Sequence, residues 1–459
     1  MALCVDKEID WLTSTILPEI LKNGRLVDNY SEALLPSFKV GDITIAVIGP
    51  EEAFMLTQCY RATIQFEYAG EKYQRKMVVK KTPEIPAEAY NDAQFENLFH
   101  NEICFYTDIL PIIQKLSDTK FAAPTYYYGE IKAESAVIIL GDFASDGWSV
   151  TKARYGLSLE HARIAVKYLG RFHGFGYALK HNQPERFKEL SGCFRESRFA
   201  NDNISPEWDL ISKVGLQRAA QSTHKYHPEV DKEFIKKFQQ LVYKSVGYGR
   251  QRVAPREPLS TLCHGDYLRN NVAYKYDADS SGTPLDIMMF DYQTMRLSSP
   301  MVDLSVFLAN SVLADVRYSN FDTIFDDYCE ALFESYTKQS NEQLPAFLNR
   351  ETLLQEYIRF LPYSLGISAS FLPWLVAPPQ LTTAEMFTQQ QSQAEIVEAS
   401  MTQGGEIVDR EIAHQMKEMF ELSQLHNVQI DEDIDNSEWI TSVNFAYVDN
   451  NSRELCHCE

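Results

Sequence analysis

The chain has 459 residues, 45% of them hydrophobic, and its 64 acidic against 43 basic side chains give a formal charge of −21. That length and apolar content can bury a sizeable core, in one large domain or in two lobes around a cleft, while the acidity excludes nucleic acid or an acidic membrane surface as the main partner. A polyanion-binding site in such a chain must concentrate positive charge locally, so individual lysines and arginines matter more than the total.

The opening residues carry Asp6, Glu8 and Asp10 and no basic segment ahead of a long apolar run, which does not read as a secretory leader. A cytoplasmic protein is expected. Ile9, Leu12, Ile16 and Ile20 recur at helical spacing and predict a packing helix over residues 5–22 that Pro18 bends or breaks. From Phe38 to Lys81 the pattern becomes β-rich: ITIAVIG, CYRATIQFEY and KYQRKMVVKK, punctuated by Gly49-Pro50 and Ala69-Gly70, predict three consecutive antiparallel strands. The third ends in Lys80-Lys81 before Thr82-Pro83; side chains alternate along a strand, so only one of the two lysines faces a given side. Residues 92–110 are helical, with Phe95, Leu98, Phe99, Ile103, Phe105 and Tyr106 apolar and Glu102 among them. Phe121 to Gly129 and Ser135 to Leu140 predict two more strands, completing a five-stranded sheet, and Gly141-Asp142-Phe143 opens a polar crossing through Ser145, Asp146 and Gly147.

Helical periodicity takes over at Leu157 and predicts a long helix ending near His173, a packing or capping histidine. Residues 185–258 are mixed helices in which Trp208, Tyr226, Phe234, Phe238 and Tyr243 are core or pocket candidates. The most informative stretch is Thr261 to Leu304. Two short apolar strands lead into polar loops there, Leu259 to Cys263 into His264-Gly265-Asp266 and Ile287 to Phe290 into Asp291-Tyr292-Gln293. Phosphoryl transfer from a nucleotide needs a carboxylate beside the attacking hydroxyl and oxygen ligands for magnesium on the phosphates. Asp266 suits the first task, taking the hydroxyl proton; Asn271, through its carbonyl, and Asp291 suit the second, because a hard cation prefers oxygen. Gly265 lets the backbone turn tightly between His264 and Asp266, and His264 fixes the loop by hydrogen bonding rather than moving protons.

The motifs HGDYLRNN, FDYQ and SPMVDLSVFL resemble the catalytic core of the aminoglycoside and choline kinase group within the protein-kinase-like fold, and within that group the ecdysteroid kinase-like (CHK kinase-like) proteins of insects. The resemblance spans roughly Val40 to Trp374. It implies an α+β, two-lobed protein-kinase-like fold: an N-terminal five-stranded antiparallel sheet plus helix, and a larger, mainly helical C-terminal lobe. The implied division is an N-terminal helical extension at 1–37, an N-lobe at 38–140, a hinge at 141–147, a C-lobe at 148–425 and an acidic tail at 426–459. It further implies that Lys80, with Lys81 as the alternative, neutralises the α- and β-phosphates of ATP, that Glu102 pairs with that lysine, and that backbone groups of Leu140, Gly141, Asp142 and Phe143 bind the adenine edge. The loop Gly49 to Thr57, GPEEAFMLT, departs from the family: one glycine, a proline and two glutamates make a poor phosphate cradle.

Ser299 caps and Pro300 starts a further helix, with Asp303 in its first turn as a brace for the loop. Phe321 to Gln424 is mostly helical; Phe371, Trp374 and Met401 line either an apolar acceptor site or plain core. Leu361 to Val376 is too short, and too broken by Pro362 and Pro373, to span a membrane. After Leu425 the chain turns acidic, with an aromatic segment around Trp439 to Tyr447, and reads as an appendage. The eight cysteines form no disulfide framework, and Cys456-His457-Cys458 lacks the second pair a zinc site needs. Phosphate-loop, zinc-helix, nucleophile-turn and dinucleotide-turn motifs are missing. The expectation is a monomeric kinase using ATP and Mg2+ to phosphorylate a small-molecule hydroxyl acceptor, an ecdysteroid or similar steroid-like or xenobiotic alcohol, with no nucleic-acid or membrane partner. The alternative is a kinase-shaped small-molecule binder with weak or no catalysis.

Overall fold

The computed structural model describes residues 4–49, 56–117, 121–153, 155–201, 204–277, 282–378, 385 and 391–435. The N-terminal segment forms α1 (Val5–Trp11), a wider π-type turn (Leu12–Ile16) and α2 (Leu17–Lys22). Pro18 therefore does not break the helix. It stands in the first turn of α2, where its missing N–H costs nothing, and the wide turn ahead of it takes up the ring. Pro111 is handled in the same way further on, in the first turn of a helix that follows a second π-type segment.

Next come β1 (Lys39–Val47), β2 (Gln58–Tyr68) and β3 (Glu71–Lys81), then α3 (Ala87–Asp92), α4 (Phe95–Cys104) and α5 (Leu110–Leu116), then β4 (Tyr126–Lys132) and β5 (Ser135–Gly141). The five strands make one antiparallel sheet in the order β1-β2-β3-β5-β4. Ala69 and Gly70, at the β2–β3 connection, both have positive φ, 56° and 83°, the backbone that a two-residue hairpin requires to match strand twist. Tyr60, Ala62, Ile64, Met77 and Val79 alternate onto one face of the sheet and are sealed by Leu12, Ile16, Leu17, Ile20 and Leu21 of the N-terminal helices. The extension thus forms the back wall of the first lobe. Of the Gly49 to Thr57 loop, residues 50–55 lie outside the described residues.

The second lobe is helical: α6 (Leu159–Asn182), α7 (Pro184–Ser191), α8 (Pro206–Tyr226), α9 (Lys232–Val242), α10 (Ser245–Val253), α11 (Met301–Ser311), α12 (Ala314–Ser340), α13 (Arg350–Val376) and two final helices, Gln393–Thr402 and Gly405–His426. Helix α6 runs past His173 to Asn182, because its apolar stripe continues through Phe175, Ala178 and Leu179. Pro300 rather than Ser299 stands at the start of α11, with the Ser299 hydroxyl still accepting the Met301 N–H at 3.4 Å. Two short antiparallel pairs are set into this lobe, β6 (Thr261–Cys263) with β9 (Arg296–Ser298) and β7 (Val272–Tyr276) with β8 (Pro284–Met289). They present the polar loops at their ends.

The acidic stretch is no appendage as far as Asp435. Val428 and Ile430 are buried, and Asp431, Glu432 and Asp433 pair with Lys237, Arg359 and Arg256 at 2.7, 3.0 and 2.7 Å. Trp439 to Tyr447 and Cys456-His457-Cys458 lie outside the described residues. No helix among the described residues is long and apolar enough to cross a membrane.

Helices α6 and α12 pack face to face at two glycines. A Cβ on Gly170 would lie 2.4 Å from the Tyr328 carbonyl oxygen, and one on Gly174 would lie 2.7 Å from that of Leu332. Because the obstacle is backbone, it cannot turn aside. Gly170→Ala is expected to cost about 1–3 kcal/mol in denaturant unfolding, despite alanine's better helix propensity; an unchanged midpoint would show that the two helices separate freely.

Candidate active site

Strand alternation settles which lysine enters the cleft. Lys81 turns to the side of the N-terminal helices and pairs with Glu8 at 2.7 Å. Lys80 turns the other way, is nearly buried, and donates to Glu102 at 2.7 Å, to the Gln293 side-chain oxygen at 3.1 Å and to Asp291. Glu102 comes from α4, and Asp291 and Gln293 from the loop after β8, so one ammonium joins three remote segments. Asp291 has φ +67°, a left-handed backbone that aspartate tolerates better than most residues.

One cation faces two carboxylates here, and the charges do not cancel. Burial works against the charged lysine, but Asp291 and Glu102 outweigh it and hold Lys80 above its ordinary value. Burial also pushes the Glu102 carboxyl above the usual carboxylate range; Lys80 opposes that rise and Asp291 adds to it. With both carboxylates ionised the cluster carries a surplus negative charge that a metal ion would neutralise.

In the second lobe, β6 delivers His264, Gly265 and Asp266. Gly265 has φ +82°, and a Cβ there would sit 2.0 Å from the Thr294 carbonyl oxygen, so no other residue fits. Beneath the loop, the fully buried Asp303 accepts the His264 and Gly265 N–H groups, both at 2.7 Å, and contacts His173 Nε2 at 3.1 Å. Burial raises the Asp303 carboxyl, but the His173 hydrogen bond, the electrostatic interaction with the His173 and His264 rings and the Gly265 amide together bring it below its ordinary value. His264 Nε2 lies 3.0 Å from the Phe290 carbonyl, which can only accept. The proton is therefore on Nε2, which leaves Nδ1 to accept the Asp266 N–H at 3.3 Å. His264 thereby ties the loop bearing Asp266 to the strand end bearing Asp291.

Asp266 receives Asn271 Nδ2 at 3.0 Å on one carboxylate oxygen and Arg198 Nη2 at 2.9 Å on the other. Asn271 Nδ2 also donates to the Asp266 carbonyl at 2.7 Å. With its nitrogen engaged there, Asn271 has a lone pair to offer on a side-chain oxygen that also accepts Asn270 Nδ2 at 3.4 Å, and Asp291, with Lys80 on Oδ1, has Oδ2. That all-oxygen donor set fits a hard divalent cation and not a soft one. A second group of ligating types, His173, Cys263 and Asp303, has its atoms within 4.8 Å of one another. It is already satisfied: Asp303 is spent on the loop, and burial holds the Cys263 thiol far from ionisation.

The Leu140 to Phe143 segment stands at the end of β5. Its Gly141 and Asp142 amides are occupied by the Thr125 and Lys76 carbonyls, at 2.7 and 2.9 Å. Phe143 packs on Phe290 with ring centroids 5.0 Å apart, beside Trp148, Ala273 and Met288. The half-buried Phe371 and Trp374 of α13 touch each other, and Trp374 meets Trp208 of α8 at 5.2 Å; Met401 is on the helix Gln393–Thr402, which packs on α8. Sequence reasoning passed over two members of the site. Gln293 lies inside the motif FDYQ, where a neutral amide carries no charge signal of its own. Arg198 lies in an irregular loop with no motif around it, and nothing local marks it.

Compared with known proteins, residues 51–341 match the model of the ecdysteroid kinase-like family. No curated protein matches the chain. Among solved structures, the AMP-bound complex of a spectinomycin phosphotransferase is similar over 73% of this chain and 90% of that one, at 12% identity and a TM-score of 0.29.

Asp303→Asn keeps the shape but turns an acceptor into a group that also donates toward two buried N–H groups. A loss of about 3 kcal/mol at neutral pH is expected. Because the folded carboxyl is depressed, its stabilisation is present above the unfolded value of about 3.9 and fades as pH falls through the folded value. The gap between wild type and variant in denaturant melts should therefore narrow below about pH 4; a gap independent of pH would rule out an ionised Asp303.

Proposed function

The chain belongs to the ecdysteroid kinase-like family, and from that premise we propose that it is an ATP- and magnesium-dependent kinase acting on a hydroxyl of an ecdysteroid or similar polycyclic or xenobiotic alcohol. The observation that carries the proposal is convergence. Lys80, Glu102 and Asp291 meet at one point, Asp266 and Asn271 meet at another, and His264 joins the two by bonding both Phe290 and the Asp266 amide.

In this reading Lys80, held by Glu102, meets the α- and β-phosphates. Asn271 and Asp291 would hold magnesium, which would supply charge neutralisation for the phosphates when bound. Asp266 orients the acceptor hydroxyl and takes its proton as the oxygen attacks the γ-phosphorus, while the bond to the β–γ bridging oxygen breaks and ADP leaves with that electron pair. The adenine edge goes to the Leu140–Phe143 segment, where the Gly141 and Asp142 amides are already committed to the sheet and the Phe143 amide is the donor proposed to meet it.

An apolar acceptor would lie along α13. Tyr363, packed near Phe199 with centroids 6.3 Å apart, stands directly beside the Arg198 side chain and so on the Asp266 side. Trp374 stands three turns on, near the same helix face and about 16 Å away at 1.5 Å per residue. An elongated molecule with its hydroxyl at Asp266 would reach the Trp208–Trp374 pair.

Calorimetry with ATP, with and without magnesium, is the first test. Wild type is expected to bind in a magnesium-dependent manner and Asp291→Asn to lose that dependence. Asp266→Asn should retain nucleotide binding yet lose turnover by roughly a hundredfold or more on any acceptor found. Turnover equal to wild type would remove Asp266 from the chemistry. No magnesium-dependent binding in wild type would leave a kinase-shaped binder of small molecules.

A further inference from the structure

Nucleotide phosphates bring about four negative charges to a cleft already lined by Glu102, Asp266 and Asp291, in a protein of net charge −21. Lys80 is one cation against that load, and its contacts are all at the Asp291 end. At the Asp266 end stands Arg198, from the loop between α7 and α8, with Nη2 2.9 Å from Asp266 and 27% of its side chain still exposed.

That position is built, although it lies in irregular chain. Asn101 of α4 exchanges hydrogen bonds with the backbone of Arg195, at 2.8 and 2.9 Å. Asn97 donates to the Glu196 carbonyl at 3.0 Å, and His100 Nε2 lies 2.9 Å from the Cys193 carbonyl. The Glu196 carboxylate accepts the Arg198 and Phe199 amides at 2.8 and 3.0 Å and is itself pinned by Arg296 at 3.1 Å. From the far side, Arg250 grips the Phe199 carbonyl at 2.7 Å. So the backbone on both sides of Arg198 is tied down, and the helix that carries Glu102 is one of the anchors. A surface ion pair would not need such support.

We propose that Arg198 contacts the transferring phosphoryl group, its guanidinium bridging Asp266 and a γ-phosphate oxygen. The inference rests on the kinase reading above. A guanidinium suits the task because its fixed fork can serve two oxygen acceptors at once and it stays charged throughout. With one arm on Asp266 it also keeps that carboxylate turned toward the acceptor hydroxyl. Arg198 itself neither gains nor loses a proton: the hydroxyl proton goes to Asp266, and the charge that builds on the equatorial oxygens is what the guanidinium meets.

The test compares two ligands that differ by the γ-phosphate. Full-length wild type, Arg198→Met and Arg198→Lys are titrated calorimetrically with magnesium–ADP and with the magnesium complex of a non-hydrolysable β,γ-imido ATP analogue, and thermal melts establish that each is folded. Wild type should prefer the analogue; Arg198→Met should lose roughly tenfold in analogue affinity and keep its ADP affinity, with Arg198→Lys in between. Should Arg198→Met fail to fold, Arg198→Lys decides the matter by the same ratio. An analogue-to-ADP ratio unchanged by either variant, or an equal loss for both nucleotides, would reduce Arg198 to a structural partner of Asp266 and overturn the inference while leaving the kinase reading intact. A wild type that binds neither nucleotide would overturn the kinase reading itself.

Discussion

The meeting of Lys80 with Glu102 and Asp291 is the constraint around which the two lobes are arranged. The lysine comes from the third strand of the sheet, one carboxylate from the helix packed beside that sheet, and the other from a loop of the helical lobe 211 residues away in sequence. A buried and a partly exposed carboxylate around one ammonium cost desolvation and, when both are ionised, leave an uncompensated negative charge. Apolar packing alone has no use for such a cluster. It persists because the rest of the fold over-determines it: Glu102 is locked into α4, Asp291 is held in a left-handed backbone at the end of β8, and β3 is paired on both sides.

A second buried carboxylate performs the corresponding service for the other half of the cleft. Asp303 stands in the first turn of α11, where the helix dipole favours it, and gathers the His264 and Gly265 amides together with His173. Its effect passes outward through His264 to both motif loops. The outer carboxylates, Asp266 and Asp291, can then stand partly exposed and still hold their geometry, which is the arrangement a site needs when its ligands come and go.

Much of this could be read from the chain because the signals are local. Period-two alternation marked the strands, helical spacing marked α4 and α6, and the short interval from Asp266 to Asn271 placed both on one loop. Alternation also left only one of Lys80 and Lys81 for the cleft. Reading failed where a local rule met a structural accommodation. Pro18 looked like a helix breaker, but a wider turn ahead of it absorbed the ring. The acidic stretch after Leu425 looked free in solution, but its carboxylates face Lys237, Arg256 and Arg359 from three different helical or loop segments.

By itself, then, the sequence determined the elements, the turn at Gly265 and the residue types suited to a phosphate or a hard cation, since each of these depends on neighbours a few positions away. Only the tertiary structure decided that Lys80 has two carboxylates to face rather than one, that Asn271 spends its nitrogen on Asp266, and that Arg198 stands beside Asp266 at all. Those outcomes depend on hydrogen bonds across tens to hundreds of residues, Asn101 to Arg195 and Arg198 to Asp266 among them. Such contacts form where the packed backbone happens to bring polar groups together in a low-dielectric interior, and no periodicity along the chain records that meeting.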